Sequence, residues 1–151
     1  MQKVLLSDLP QFAKEVLALL PVKDAATVVA LRGDLGAGKT TFVQTLGKEL
    51  GVVETMQSPT YVLMKKYQIS QGETLLYKVS PWNTLVHIDA YRLENPKEFA
   101  ALKPEQFLSD PKTLVVVEWP EKVVGALPPA DLTINFSSQD AGEGERYIEV
   151  V

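Results

Sequence analysis

The sequence has no cysteine among its 151 residues. Disulfides, thiolate metal sites and cysteine nucleophiles are excluded together. No apolar run approaches the ~18 residues that a membrane span needs. The opening stretch MQKVLLSDLPQF turns polar early and carries Pro10, so it lacks the apolar centre of a signal peptide. Positive charge is scarce as well. Fifteen Lys and Arg stand against 19 Asp and Glu, a formal net charge of -4. Proteins that grip nucleic acid by charge rely on clustered Lys and Arg. This composition weighs against such a grip and leaves open action on nucleic acid through partners. Internal repeats and low-complexity segments are absent too. The expectation is a soluble, cytoplasmic protein with no membrane attachment.

What is present fits a folded domain. Hydrophobic residues make up 46% and charged residues 23% of the chain, the balance of a globular core rather than of a disordered chain. The length suits one domain over residues 1–151. KVLLS reads as a short edge strand. Ser7 or Asp8 is placed to cap a helix running to about Leu20, with Phe12, Val16, Leu19 and Leu20 on one apolar face and Pro21 ending it. TVVALR reads as a strand buried on both faces. KTTFVQTLGKEL reads as a helix, with Gly51 where a glycine cap belongs. TYVLMKKYQI and LLYKV, separated by SQGE, predict a hairpin. TLVHIDAY and TLVVVEW are strands that each end at an acid, and between them PKEFAAL and PEQFL are short helices opened by proline. DLTINF and RYIEVV predict a closing antiparallel hairpin. The fold class expected is α/β: a three-layer domain like a P-loop NTPase, with a mixed parallel/antiparallel sheet.

The strand-to-helix turn holds the strongest chemical signal. Gly33-Asp34-Leu35-Gly36-Ala37-Gly38-Lys39-Thr40 fits G-x-x-x-x-G-K-[ST] at every fixed position. The glycines let backbone N–H groups curl around phosphate oxygens, and the helix that follows offers its positive end to the same anion. Gly36, Ala37, Gly38, Lys39, Thr40 and Thr41 form the expected nucleotide cradle. Lys39 is expected to reach the β- and γ-phosphates, and the Thr40 hydroxyl to ligate Mg²⁺. The spacing speaks for a nucleoside triphosphate and is silent on the reaction.

A phosphate loop needs a carboxylate at the end of a neighbouring strand. Asp89 and Glu118 both qualify: one to hold Mg²⁺, the other to orient or activate a hydrolytic water. His87 lies two residues before Asp89 and so shares its face of the strand; alone it reads as a half-buried structural histidine. Arg92 is placed either to stabilise transferring charge or to make a structural ion pair. Trp119 follows Glu118 as a core or rim residue. SPTY, from Ser58 to Tyr61, lies where many phosphate-loop switches sense the γ-phosphate.

Taken in order, GDLGAGKTT, SPTY, HIDAYRL and VEWPE resemble the bacterial TsaE (YjeE) ATPases, and the resemblance covers nearly the whole chain. It implies ATP rather than GTP, with weak Mg²⁺-dependent hydrolysis by the isolated protein. It implies TsaD and TsaB as partners in threonylcarbamoyl modification of adenosine 37 in tRNAs that read ANN codons, with tRNA met through the complex. By the same resemblance Thr40 and Glu118 match magnesium ligands, and Gly36 to Thr41 the phosphate cradle. Asp89 matches an acid needed for activity, which with Lys39 and Glu118 makes the expected catalytic set. Ser58 and Thr60 match a switch-like segment, and Trp119 the tryptophan beside the metal-binding acid. SQGETLLYKVSPWNT is longer than the hairpin usual there, and FAALKPEQFLSD departs from the usual glycine-containing turn.

Other classes remain in view. A small-molecule kinase of the P-loop class has the same loop, but no lid-like segment with clustered arginines is found. A GTP switch generally carries N-K-x-D, and that run is absent. A binding module without turnover is the fourth possibility.

Overall fold

The computed structural model of the chain describes residues 1–56, 63–70 and 80–151. A sheet of seven strands runs in the order β1-β7-β6-β2-β5-β4-β3. The strands are β1 (Gln2–Leu5), β2 (Thr27–Arg32), β3 (Met64–Gln68), β4 (Thr84–Asp89), β5 (Thr113–Glu118), β6 (Leu132–Ser137) and β7 (Glu145–Val150). The inner strands β6, β2, β5 and β4 are parallel; β7 pairs antiparallel with β6, β1 antiparallel with β7, and β3 antiparallel with β4. The mixed sheet expected from the sequence is thus present.

Strand composition follows this placement. TVVALR and TLVVVE occupy the two central parallel strands, buried on both faces. Alternate residues feed two separate cores. Val29, Leu31, Leu85, Leu114 and Val116 pack beneath α1 (Leu9–Leu19) and α2 (Lys39–Leu50). Val28, Ala30, Val86, Ile88, Val115 and Val117 pack on the other side against Phe99 of α3 (Pro96–Ala100) and Phe107 of α4 (Glu105–Leu108). The result is three layers.

Helix ends obey their local chemistry. At the end of α2, Gly51 adopts φ 98° and returns its N–H to the carbonyls of Gly47 and Lys48, a left-handed cap that glycine alone adopts at little cost. Asn95 caps α3 by accepting the N–H of Lys97. Two local expectations are corrected. Asp8 stands at the start of α1, yet its side chain makes no capping bond there. Leu19 is 61% exposed, because α1 ends at Leu19 and the chain turns extended at Leu20; Phe12, Val16 and Leu20 are buried as anticipated. The predicted TYVLMKKYQI–LLYKV hairpin falls partly outside the described residues. What is described of it, β3, pairs antiparallel with β4. The closing hairpin of β6 and β7 forms as read.

Phe42 is the packing centre beneath α2. Its ring lies 5.7 Å from that of Phe12 and 5.6 Å from that of Phe136, both tilted, so it joins α1, α2 and β6. Phe42→Ala is expected to cost about 3–5 kcal/mol of stability, read by urea unfolding. A loss under about 1 kcal/mol would contradict this view of the core.

Candidate functional site

The parallel register sets the site. Leu31 lies opposite Glu118, and Glu118 opposite Asp89. The β2, β5 and β4 strands therefore end at one level, and the loop after β2 opens beside both acids. Ligands of open α/β sheets bind in this crevice beyond the carboxyl ends of the strands. On the alternation that sends Leu85, Leu114 and Val116 toward α2, the residues His87, Asp89 and Glu118 face α2 as well.

The loop needs its glycines. Gly33 leaves β2 at φ 143°, and a Cβ there would lie 2.5 Å from the carbonyl oxygen of Phe136. Gly38 starts α2 in the left-handed region at φ 104°. The helix has no side-chain cap at this end, which leaves its first N–H groups to a ligand. Lys39 is buried and donates to the carbonyls of Gly33 and Asp34, the latter at 2.8 Å. Its Nζ lies 4.4 Å from the centre of the Trp119 ring, a cation–π distance. Burial holds its pKa below the ordinary 10.5, against the opposing pull of Glu118, Asp89, Glu121 and Asp34.

Glu118 is 2% exposed. The Thr40 hydroxyl donates to its two carboxylate oxygens at 3.0 and 3.1 Å. His87, 1% exposed, meets Oε2 through Nε2 at 2.6 Å. A carboxylate oxygen accepts, which assigns the donor role in this bond to Nε2; His87 Nδ1 has no partner among the described residues. The histidine is buried and bonded to an acid of the site, more tightly held than the half-buried residue expected from its sequence position. Asp89 is 7% exposed, and one of its oxygens accepts the N–H of Tyr91 at 3.0 Å. The Tyr91 ring packs 5.1 Å from that of Trp119, which the chain holds at φ 60°, a left-handed conformation that costs a bulky residue energy.

A cavity of about 190 Å³ is lined by the loop, Thr41, Asp89, Glu118, Trp119 and Arg146, among others. It brings together Gly36, Gly38, Lys39, Thr40 and Thr41 from the phosphate loop with both strand-end acids. Ala37 lies fully buried within that loop. Arg92 instead borders a separate depression with Glu94, Glu121 and Lys122. Ser58 and Thr60 lie outside the described residues. Sequence reasoning passed over Arg146. The signal was available: Arg146 precedes the core residue Ile148 by two along β7 and so shares its inward face.

No group of three or more His, Asp and Glu with metal-binding geometry occurs among the described residues. Mg²⁺ usually takes one or two carboxylates together with phosphates and waters. The Thr40 and Glu118 oxygens suit it in kind.

A family model described as "Threonylcarbamoyl adenosine biosynthesis protein TsaE" matches residues 6–148. Relatives that carry the name tRNA threonylcarbamoyladenosine biosynthesis protein TsaE include three from different bacteria. The one from Synechocystis is 37% identical over 116 residues, spanning 75% of this chain and 64% of its own. That from Haemophilus influenzae is 33% identical over 141 residues, spanning 93% and 78%. That from Nostoc is 35% identical over 154 residues, spanning 99% and 85%. The crystal structure of Bacillus subtilis YdiB superposes with a TM-score of 0.57 at 25% identity, over 97% of this chain and 80% of that one.

The buried Lys39 gives a pH prediction. Because its pKa is lowered on folding, the unfolded chain binds more protons between the lowered value and 10.5, so stability rises with pH across that window. Wild type should gain thermal stability relative to Lys39→Met as pH climbs toward 10.5. Parallel pH profiles for the two proteins would contradict the shift.

Proposed function

The chain belongs to the TsaE family of threonylcarbamoyl adenosine biosynthesis proteins, and on that premise we propose that it is the ATP-binding, weakly ATP-hydrolysing subunit of this tRNA modification. Its partners in this reading are TsaD and TsaB, which carry out and scaffold the transfer to adenosine 37, and tRNA is met through that complex. The whole works as one cytoplasmic ATPase domain. No helix among the described residues is long and apolar enough to cross a membrane.

The observation that supports the reading most directly is the bond from Thr40 to Glu118 at the mouth of the phosphate loop. It joins the start of α2 to the end of β5 with two oxygen ligands of the kind Mg²⁺ takes. Bound Mg²⁺ would supply neutralisation of phosphate charge. The N–H groups of Gly36 to Thr41 hold phosphate oxygens, and the dipole of α2 favours their charge. Lys39 leaves the carbonyls of Gly33 and Asp34 and pairs with the β- and γ-phosphates. That exchange trades carbonyl dipoles for full negative charges and relieves the cost of a buried ammonium. Thr40 and Glu118 would hold the metal. His87 fixes the Glu118 carboxylate from behind, as outer partners of metal ligands do. Asp89 orients the attacking water, and Trp119 covers Lys39 and limits solvent.

Two variants test the reading. Lys39→Ala should weaken ATP binding by roughly ten-fold or more, since a charge-assisted bond contributes about 1.5–3 kcal/mol; calorimetry reads it. Glu118→Ala should abolish Mg²⁺-dependent release of phosphate in the absence of any acceptor. An ATP affinity unchanged in Lys39→Ala would sink the loop assignment. Turnover that appears only with an added small-molecule acceptor would favour a kinase.

A further inference from the structure

The wall of the cavity opposite the two acids carries Arg146. It belongs to β7, opposite Val4 of β1, and its inward direction takes it to the start of α2. A Cβ built on Gly38 would lie 3.6 Å from both Cγ and Nε of Arg146. The guanidinium thus stands against the loop position where the helix N–H groups begin.

Its hydrogen bonding is incomplete. Nη1 donates to the carbonyl of Glu145 at 2.6 Å. Nε is buried and has no acceptor among the described residues. The neighbouring acids are engaged elsewhere: Glu145 with Lys3 and the N–H of Gly142, Glu149 with Asn135. Among the described residues no ion pair includes Arg146. A buried guanidine N–H without an acceptor is costly, and here it borders a cavity that also holds Lys39. The cavity's two cationic side chains, Lys39 and Arg146, are matched by Asp89 and Glu118. All of the acid lies on the β4 and β5 side, and Arg146 stands beyond β2 and β6.

We infer that Arg146 is a nucleotide ligand: its guanidinium donates to a phosphate oxygen of the bound nucleoside triphosphate, from the side of the loop opposite Glu118 and Asp89. This rests on the nucleotide-binding reading above. Arginine suits the task because its planar donors stay charged and match phosphate geometry. Gly38, held at φ 104°, lets the loop pass within ordinary contact distance of the guanidinium stem.

The test compares wild type with Arg146→Ala, Arg146→Gln and Arg146→Lys. Calorimetry with ATP, ADP and inorganic tripolyphosphate reads binding, and thermal unfolding without ligand reads the fold. Arg146→Ala and Arg146→Gln should bind ATP and tripolyphosphate about ten- to a hundred-fold more weakly, with Arg146→Lys between them and wild type. The Gln variant keeps the stem and removes only the charge, so it separates ligation from packing. Affinity for ATP unchanged in both neutral variants overturns the inference while wild-type binding upholds the nucleotide site. Loss of ATP affinity with tripolyphosphate binding intact also overturns it, because the contact would then be to base or sugar. Wild type that binds none of the three ligands overturns the nucleotide reading itself, and the inference with it.

Discussion

A carboxylate buried at the end of a central strand is the constraint on which this site depends. Glu118 is almost wholly shielded from water, and a buried charge without partners is expensive. Its partners come from two other elements. Thr40 reaches it from the first turn of α2, and His87 from the middle of β4. One acid therefore ties helix, central strand and neighbouring strand into a fixed geometry. The parallel pairing of β2, β5 and β4 is what brings these groups to one level. Slipping either pairing by one residue would turn the acid to the opposite face of the sheet.

The site also holds energy that folding alone does not favour. Lys39 is charged in a place where burial opposes charge. Trp119 takes a backbone conformation that few bulky residues adopt. Arg146 keeps a buried N–H without an acceptor. An anion in the cavity would offset the costs at Lys39 and Arg146. Sites that bind by this logic give up stability for function. Here the three costs border a single cavity, on opposite sides of the phosphate loop.

Much of this was legible in the sequence because the signals were local. β-Branched runs such as TVVALR and TLVVVE could only be doubly buried strands. The glycine spacing of the loop, with a strand before and a helix after, located α2 to the residue. Glu118 and Asp89 stood out as acids ending apolar strands. What stayed hidden depended on long-range pairing. The partnership of His87 with Glu118 joins residues on separate strands, and no spacing along the chain announces it. Arg146 lies more than a hundred residues from the loop it borders, and only the order β7-β6-β2 brings them together. Leu19 misled because the buried face of α1 is centred on Leu9, Phe12, Ala13, Val16 and Leu17, which leaves Leu19 at its edge in the last helical position.

The central question is whether this chain, through the nucleotide site proposed for it, drives tRNA modification. The direct measurement is repeated threonylcarbamoylation of an ANN-decoding tRNA by reconstituted TsaB and TsaD. It is run with this chain, without it, and with its Glu118→Ala variant. The account predicts many rounds per complex only when wild type and ATP are both present. Equal yields of modified tRNA in all three reactions would contradict it.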